Sequence, residues 1–287
     1  MTRAVQTVAL VPNRERPVAR EIAHRAASRL LEAGVEVRML ADDAAALGLD
    51  PLACKEDALG VDLDVAIALG GDGTMLYTVA LVHAHGAAVL GVNVGHLGYL
   101  SAVEPAELDK ALDRLVSGDY EIEARTMLQV DVERATGTDR WFALNELVVE
   151  KVRAGRLVRL GVHLNGTPFT TYYADGVIVA TPTGSTAYSF SARGPIISPR
   201  LSCLVLTPVS PHMLFDRSLV LGPNEEIRLE VLDGPPTAMT LDGREYGELV
   251  PGDVAVVMAG EQPARMVTFA PRDFHQLLRD KFHLADR

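Results

Sequence analysis

Residues Gly70, Gly71, Asp72, Gly73 and Thr74 put three glycines and one carboxylate into a single short turn. Glycine lacks a Cβ, so such a turn can adopt positive φ, and a phosphate can come within hydrogen-bond range of its backbone N–H groups. The single Asp could hold Mg2+, or orient and deprotonate an attacking hydroxyl. Phosphoryl transfer is mostly positioning and charge stabilisation, so few groups suffice. A tight turn with a solvated Asp needs fewer glycines, which puts the chemical reading first. The chain has no G-x-x-x-x-G-K-[ST] loop and no G-x-G-x-x-G after a strand, so the familiar alternatives for phosphate binding are missing.

The elements that must carry this turn follow from apolar runs and breakers. Asp64 to Leu69 reads as a buried strand ending in the glycines, and a helix is expected from Thr74 to about His85. In a doubly wound sheet that junction is the carboxyl edge, where ligands bind. Upstream, Val5 to Val11 reads as a strand. Pro17 opens a helix that Gly34 stops, and Val35 to Leu40 is a second strand. Asp42 to Gly60 stays ambiguous. Downstream, Ala87 to Asn93 is a strand and Glu104 to Val116 an amphipathic helix. This alternation predicts a parallel sheet covered on both faces. Near Gly118 the rhythm changes to strand after strand, including Trp141 to Val152 as one run and Leu157 to Leu164 before an Asn165-Gly166 hairpin turn. The tail from Pro271 to about Phe282 returns to helix. The expected fold class is α/β plus all-β. Residues 1–118 with the C-terminal helix 271–287 would form the α/β domain, and 119–270 a β-rich domain.

Composition limits the partners. A formal net charge of −11 repels nucleic acid and anionic membrane, and it would repel a nucleotide too. Any phosphate site must therefore work locally, through backbone N–H groups, a metal ion or a few cations. Cys54 and Cys203 are far apart and in no metal-like spacing, which suits a reducing compartment. The apolar run near Met1 is too short for a signal peptide, and no segment approaches the ~20 apolar residues of a membrane span. The expectation is a cytoplasmic protein with neither nucleic-acid nor membrane partners. No metal ligand cage is identifiable.

The GGDGT turn at 70–74 resembles a mark shared by NAD kinases, diacylglycerol and sphingosine kinases and, in variant form, phosphofructokinases. Three further segments resemble the NAD kinase family in particular: Gly91 to Leu100, the pair Asn145-Glu146, and Asp175 to Tyr188 with its Thr181-Pro-Thr183-Gly-Ser185-Thr-Ala187 core. Their order and spacing match from the first strand to the last helix. The resemblance implies a Rossmann-like N-terminal domain, a β-rich C-terminal domain and an active site between them. It also implies homodimers or homotetramers, a divalent metal such as Mg2+, and ATP and NAD as substrates. Asp72 would be the base or orienter for the 2′-hydroxyl of the adenosine ribose, with Gly71, Gly73 and Thr74 on phosphates. Asn145, Glu146, Thr183, Thr186, Ala187, Tyr188 and Ser191 would bind the adenosine side of NAD. Asp175 would reach the other end, often across a subunit boundary, and Ser210 and His212 would approach the ligand. These residue types suit their places. A carboxylate such as Glu146 can accept two vicinal ribose hydroxyls, and Tyr188 offers a flat apolar face to a base. Hydroxyls and free N–H groups of the Thr181 to Thr186 run would sit near a helix start.

One position departs from the family. Ala192-Arg193-Gly194-Pro195 stands where the family reads Ala-Gly-Gly-Pro. If that glycine has positive φ or no room for a side chain, Arg193 strains the loop; otherwise it adds a cation near the phosphate donor. His83 and His85 are read as surface or core residues, His96 as packing or ligand contact, and Asp242-Gly243 as a hairpin turn. Arg14 and Arg16 follow the first strand and could meet phosphates, against the plainer reading of a solvated loop. Three rival functions share the scaffold: a lipid kinase, a kinase of another nucleoside or nucleotide, and a non-catalytic NAD-binding regulator. The acidic balance opposes the first, and Asp72 opposes the last, since binding alone needs no base.

Overall fold

The computed structural model describes residues 4–95, 98–153, 155–270 and 273–284. The chain divides into two compact units, residues 1–124 with 264–287, and residues 125–263.

The first unit is built on a seven-stranded sheet. In chain order its elements are β1 (Thr7–Pro12), α1 (Pro17–Glu32), β2 (Glu36–Leu40), α2 (Ala41–Leu47), β3 (Ala53–Cys54), α3 (Glu56–Leu59), β4 (Val65–Gly70), α4 (Asp72–Val82), β5 (Ala88–Asn93), α5 (Leu108–Ser117) and β6 (Glu121–Arg125). The strand order is β3-β2-β1-β4-β5, continued by a late strand, Ala264–Thr268, and then by β6. β1, β4 and β5 are buried along their whole length, which accounts for their unbroken apolar runs. Helix α1 starts on Pro17, whose missing N–H is no loss at a helix start. It turns Ala19, Ile22, Ala23, Ala26, Ala27 and Leu30 inward, while Arg25 and Arg29 pair with Asp109 and Asp113 of α5. The ambiguous stretch from Asp42 resolves into α2, a short 3-10 turn, β3 and α3.

The second unit holds two antiparallel six-stranded sheets. Its elements are β7 (Leu128–Arg134), β8 (Gly137–Ala143), β9 (Glu146–Lys151), β10 (Val158–Leu164), β11 (Thr167–Ala174), β12 (Gly176–Ala180), α6 (Tyr188–Ser191), β13 (Leu204–Val209), β14 (Leu219–Leu221), β15 (Ile227–Asp233), β16 (Thr237–Leu241), β17 (Arg244–Leu249) and β18 (Val254–Ala259). One sheet runs β11-β10-β15-β18-β7-β8, the other β14-β13-β12-β9-β16-β17. Residues from both sheets meet in one core, among them Val130, Leu160 and Leu229 from the first and Leu147, Val177 and Leu206 from the second. Strands such as β7, β15 and β16 alternate buried and half-buried residues, as a one-sided strand must. β12 is buried on both faces, because Ile178 and Ala180 pack into a second cluster with Val148, Ile197 and Val205.

Several sequence expectations change. The run from Trp141 to Val152 is two strands, β8 and β9, broken at Leu144-Asn145. The stretches expected in the β-rich part include two that pair elsewhere: Glu121–Arg125, which is β6, and Ala264–Thr268, which is β19. β19 pairs in parallel with β5, so the backbone ladder draws both segments into the first sheet. The final helix, α7 (Phe274–Phe282), is N-capped by the Asp273 carboxylate, which accepts from the N–H groups of His275 and Gln276. Its expected start at Pro271 lies outside the described residues.

Candidate active site

β4 ends at Gly70 and α4 begins at Asp72, two residues before the expected Thr74, so the carboxylate is the first residue of the helix. The expected use of the glycines for positive φ is not realised: Gly71 has φ −97°, and neither Gly70 nor Gly73 has positive φ. Added Cβ atoms at Gly71 and Gly73 would meet nothing within 4 Å, so the absence of side chains there opens the backbone to a ligand. The first hydrogen bond of this helix runs from Met75 N–H to Gly71 O. The N–H groups of Asp72, Gly73 and Thr74 come before it and have no intrahelical acceptor.

The Asp72 side chain is fixed from the loop after β5. Its Oδ2 accepts from Tyr99 N–H at 2.8 Å and its Oδ1 from Leu100 N–H at 3.0 Å. Those two bonds occupy one lone-pair direction on each oxygen and leave the others for a hydroxyl. The approach requires Gly98, because a Cβ there would overlap Oδ1 of Asp72. Lys281 of α7 lies 5.1 Å over the Tyr99 ring and helps cover this loop. His96, the open candidate of the same segment, lies outside the described residues. Arg14 pairs with the buried Asp43 and is no longer a candidate for phosphate. His83 is buried in the first unit, and burial pushes its imidazole below the ordinary range.

In the second unit the residues of the other motifs converge at the start of β9. Thr181 N–H donates to Asn145 O, and the Thr181 hydroxyl donates to Leu144 O while accepting from Gly184 N–H. The Gly184 backbone packs so closely on Asn145 O that no side chain fits. Ser185 is likewise consumed, donating to Pro182 O and accepting from Ile197 N–H. Of the hydroxyls expected along this run, those left for a ligand are Thr183, whose buried Oγ1 has no partner, and Thr186, which makes only a 3.3 Å bond to Thr183 O.

Asp242 holds this arrangement together, and its sequence context gave no sign of it. The expected turn is present: Asp242 and Gly243 have φ of 50° and 74° and join β16 to β17. Its carboxylate also reaches across the sheet. Oδ2 accepts from Leu144 N–H at 2.8 Å, and Oδ1 accepts from Asn145 N–H at 2.7 Å and Glu146 N–H at 3.1 Å.

Glu146 is 6 % exposed, and its Oε2 is buried without a hydrogen-bond partner. Burial, and then the charge of Asp242, push its carboxyl up to about 8, against a weaker opposing bond from the Tyr188 N–H. The unfolded chain releases this proton near 4.5, whereas the folded protein keeps it to about 8. The stability this group contributes is thus complete below the lower value and lost as pH rises to the upper one, at about 1.4 kcal/mol per unit as an upper bound. Glu146→Gln mimics the protonated form. Its melting temperature, relative to wild type, is expected to climb steadily between pH 5 and pH 8; parallel melting curves across that range would contradict this.

The remaining candidates are spread more widely. Asp175 is held by Lys151. Tyr188 OH donates to Glu150 at 3.3 Å. Tyr188, Ser191, Arg193 and Ser210 share the wall of a cavity of about 440 Å3, whereas His212 is seen bonding Tyr173 O through its backbone N–H. Arg193 has φ of +68°, so this chain does place a side chain where the left-handed backbone favours glycine. Among the described residues no group of three or more His, Cys, Asp or Glu could hold a metal ion. No described helix is long and apolar enough to cross a membrane.

Comparison with known proteins adds to this geometry. Residues 8–120 match the model of the ATP-NAD kinase N-terminal domain, and residues 144–269 that of the ATP-NAD kinase C-terminal domain. An NAD kinase of Moorella thermoacetica is 41 % identical over 278 residues, covering 96 % of this chain and 89 % of that protein. NAD kinase 2 of Streptomyces coelicolor is 38 % identical over 291 residues, covering 98 % and 95 %. Among solved structures, yeast NADH kinase complexed with NADH superposes with a TM-score of 0.91 at 26 % identity, over 99 % of this chain and 90 % of that one. An NAD kinase from Archaeoglobus fulgidus in complex with ATP shares the fold, with a TM-score of 0.73 at 23 % identity over 98 % and 99 %.

Proposed function

The chain belongs to the NAD kinase family, and from that premise we propose that it transfers the γ-phosphoryl group of ATP to the 2′-hydroxyl of the adenosine ribose of NAD. The observation that carries the reaction is the Asp72 carboxylate, pinned by two N–H donors at the head of a helix whose first N–H groups are open. Asp72 takes the proton of the 2′-hydroxyl as its oxygen attacks the γ-phosphorus. The bond from that phosphorus to the bridging oxygen breaks, ADP leaves, and the products are NADP, ADP and a proton. The N–H groups of Gly73 and Thr74, reached through the bare backbone at Gly71 and Gly73, take phosphate oxygens.

The adenosine part of NAD is assigned to the second unit. The unpartnered Oε2 of Glu146 accepts from a ribose hydroxyl, with Asn145, Thr183, Thr186 and Ala187 beside it and Tyr188 offering its ring face. Ser191 is kept on the adenosine side next to Tyr188, and Ser210 and Asp175 are assigned to the rest of the dinucleotide. A divalent metal such as Mg2+ would enter with the triphosphate and neutralise charge on its phosphates, and Asp72 is the carboxylate of the turn that could help hold it. We also place the enzyme in the cytoplasm, in keeping with its two free cysteines, and as a homodimer or homotetramer, as the family resemblance implies.

The test is direct product analysis with ATP, Mg2+ and, separately, NAD, NADH, adenosine or diacylglycerol. NADP or NADPH is the expected product. Phosphorylation of adenosine or lipid alone would replace the acceptor, and NAD binding without any turnover would favour a regulator.

A further inference from the structure

We propose that Arg16 binds the terminal phosphates of the triphosphate donor, at the carboxyl edge of the parallel sheet beside the Gly71 to Thr74 turn. The inference rests on the reading of that turn as a phosphate cradle and adds a side chain to it. From β1 the chain moves to β2 on one side of the sheet, while β4 lies on the other. The crevice above the ends of β1 and β4 is therefore the topological switch point, where open α/β sheets bind ligands.

Strand register brings the relevant groups to that edge. Pro12 is the partner of Leu69, and Gly70 is the partner of Asn93. Val94 N–H donates to Gly70 O, and Asn13 N–H donates to Leu69 O. Arg16 lies just before α1, and its guanidinium rests on Gly95, two residues beyond Asn93. A Cβ at Gly95 would come within 2.5 Å of Nη1 of Arg16, and that glycine has φ of +142°. The guanidinium thus occupies a place only a bare backbone leaves open, just past the end of β5, the strand that pairs directly with β4.

Charge points the same way. In a chain with 38 acidic residues against 27 basic ones, Arg14, Arg25, Arg29, Arg38 and Arg114 are each paired with a carboxylate. Arg16 makes no ion pair and no side-chain hydrogen bond among the described residues. It lines a cavity of about 370 Å3 with Glu15, Pro17, Val94, Gly95 and Pro105. The end of β5 carries a further polar group bonded to Gly95: Asn93 is 2 % exposed, its Nδ2 donates to Glu104 and Gly95 O, and its Oδ1 has no partner. A guanidinium presents a planar fork that fits phosphate oxygens, and bonds to charged groups are the strong ones.

The experiment compares wild type with Arg16→Met, which keeps the stem and removes the charge, and Arg16→Lys, which keeps only a point charge. The KM for ATP is expected to rise about 10- to 100-fold in Arg16→Met and less in Arg16→Lys, the range of a charge-assisted bond. The KM for NAD should stay within about twofold and the melting temperature should not move. Inorganic tripolyphosphate, competing with ATP, should lose inhibitory strength by a similar factor. An unchanged KM for ATP in an active enzyme overturns the proposal, and so does a parallel rise in both KM values with a lower melting temperature. Tripolyphosphate inhibition that ignores the substitution also overturns it. A wild-type protein that forms no NADP would instead count against the reaction itself.

Discussion

Asp72→Asn is expected to lower kcat for NADP formation by about 10²- to 10⁴-fold, the usual worth of a positioned general base, while NAD still binds. Two effects combine in that substitution. The carboxamide cannot take the 2′-hydroxyl proton. It also has only one acceptor oxygen for the two N–H donors, Tyr99 and Leu100, so its own NH2 must face one of them. Gly98→Ala separates these effects, since the carboxylate stays chemically intact while the new Cβ displaces Oδ1. A large fall in kcat in both variants, with NAD affinity by calorimetry kept within a few-fold, is the expected pattern. An unchanged kcat in Asp72→Asn removes the residue from the chemistry. A fall in Asp72→Asn alone, with Gly98→Ala fully active, would show that the direction of the carboxylate is not critical.

The second large effect is expected at Asp242, on stability. Its carboxylate accepts three backbone N–H bonds from Leu144, Asn145 and Glu146, and burial holds its proton affinity above the usual range in spite of them. Asp242→Ala leaves three partly buried donors without an acceptor, at a cost of about 3 kcal/mol, since each unsatisfied group costs roughly 1–3 kcal/mol and such losses overlap. At about 2–4 °C per kcal/mol for a chain of this size, the melting temperature should drop by roughly 6–12 °C. The KM for NAD should rise with it, because the same bonds set the positions of Asn145 and Glu146. Asp242→Asn controls for the turn, since Asn tolerates the left-handed φ of 50°. It should recover part of the stability through its one acceptor oxygen, and it should lower the proton affinity of Glu146 by removing a neighbouring charge. A melting temperature for Asp242→Ala within a degree of wild type would mean that those N–H groups do not depend on the carboxylate.

Much of the first unit was legible because its signals are local. β1, β4 and β5 are continuous apolar runs, Pro17 marks the start of α1, and the glycines close β4. The start of α4 was misplaced because Asp72 and Gly73 are poor helix formers, yet a carboxylate in the first helical turn is favoured by the free N–H groups there. β8 and β9 merged into one expected strand because Leu144-Asn145 carries no Gly or Pro to mark the break. β19 was missed because Ala264–Thr268 is short, and only its pairing with β5 identifies its sheet. The strain at Arg193 was legible as a condition, and the backbone φ of +68° meets it.

The sequence by itself determined the family, the alternation that builds a parallel sheet, and the place of the Asp72 turn at the end of a strand. Those properties reside in contiguous residues, where periodicity, breakers and a long specific segment leave a readable trace. Only the tertiary structure decided how the side chains are held. Asp72 takes its N–H donors from 27 and 28 residues away, Asp242 grips a backbone 96 to 98 residues upstream, and Arg16 rests on Gly95. A hydrogen bond between remote residues imposes no period on either segment, so a turn Asp that braces a binding site and one that merely closes a hairpin are spelled alike. They become distinguishable when sheet pairing brings the two stretches of chain within bonding distance.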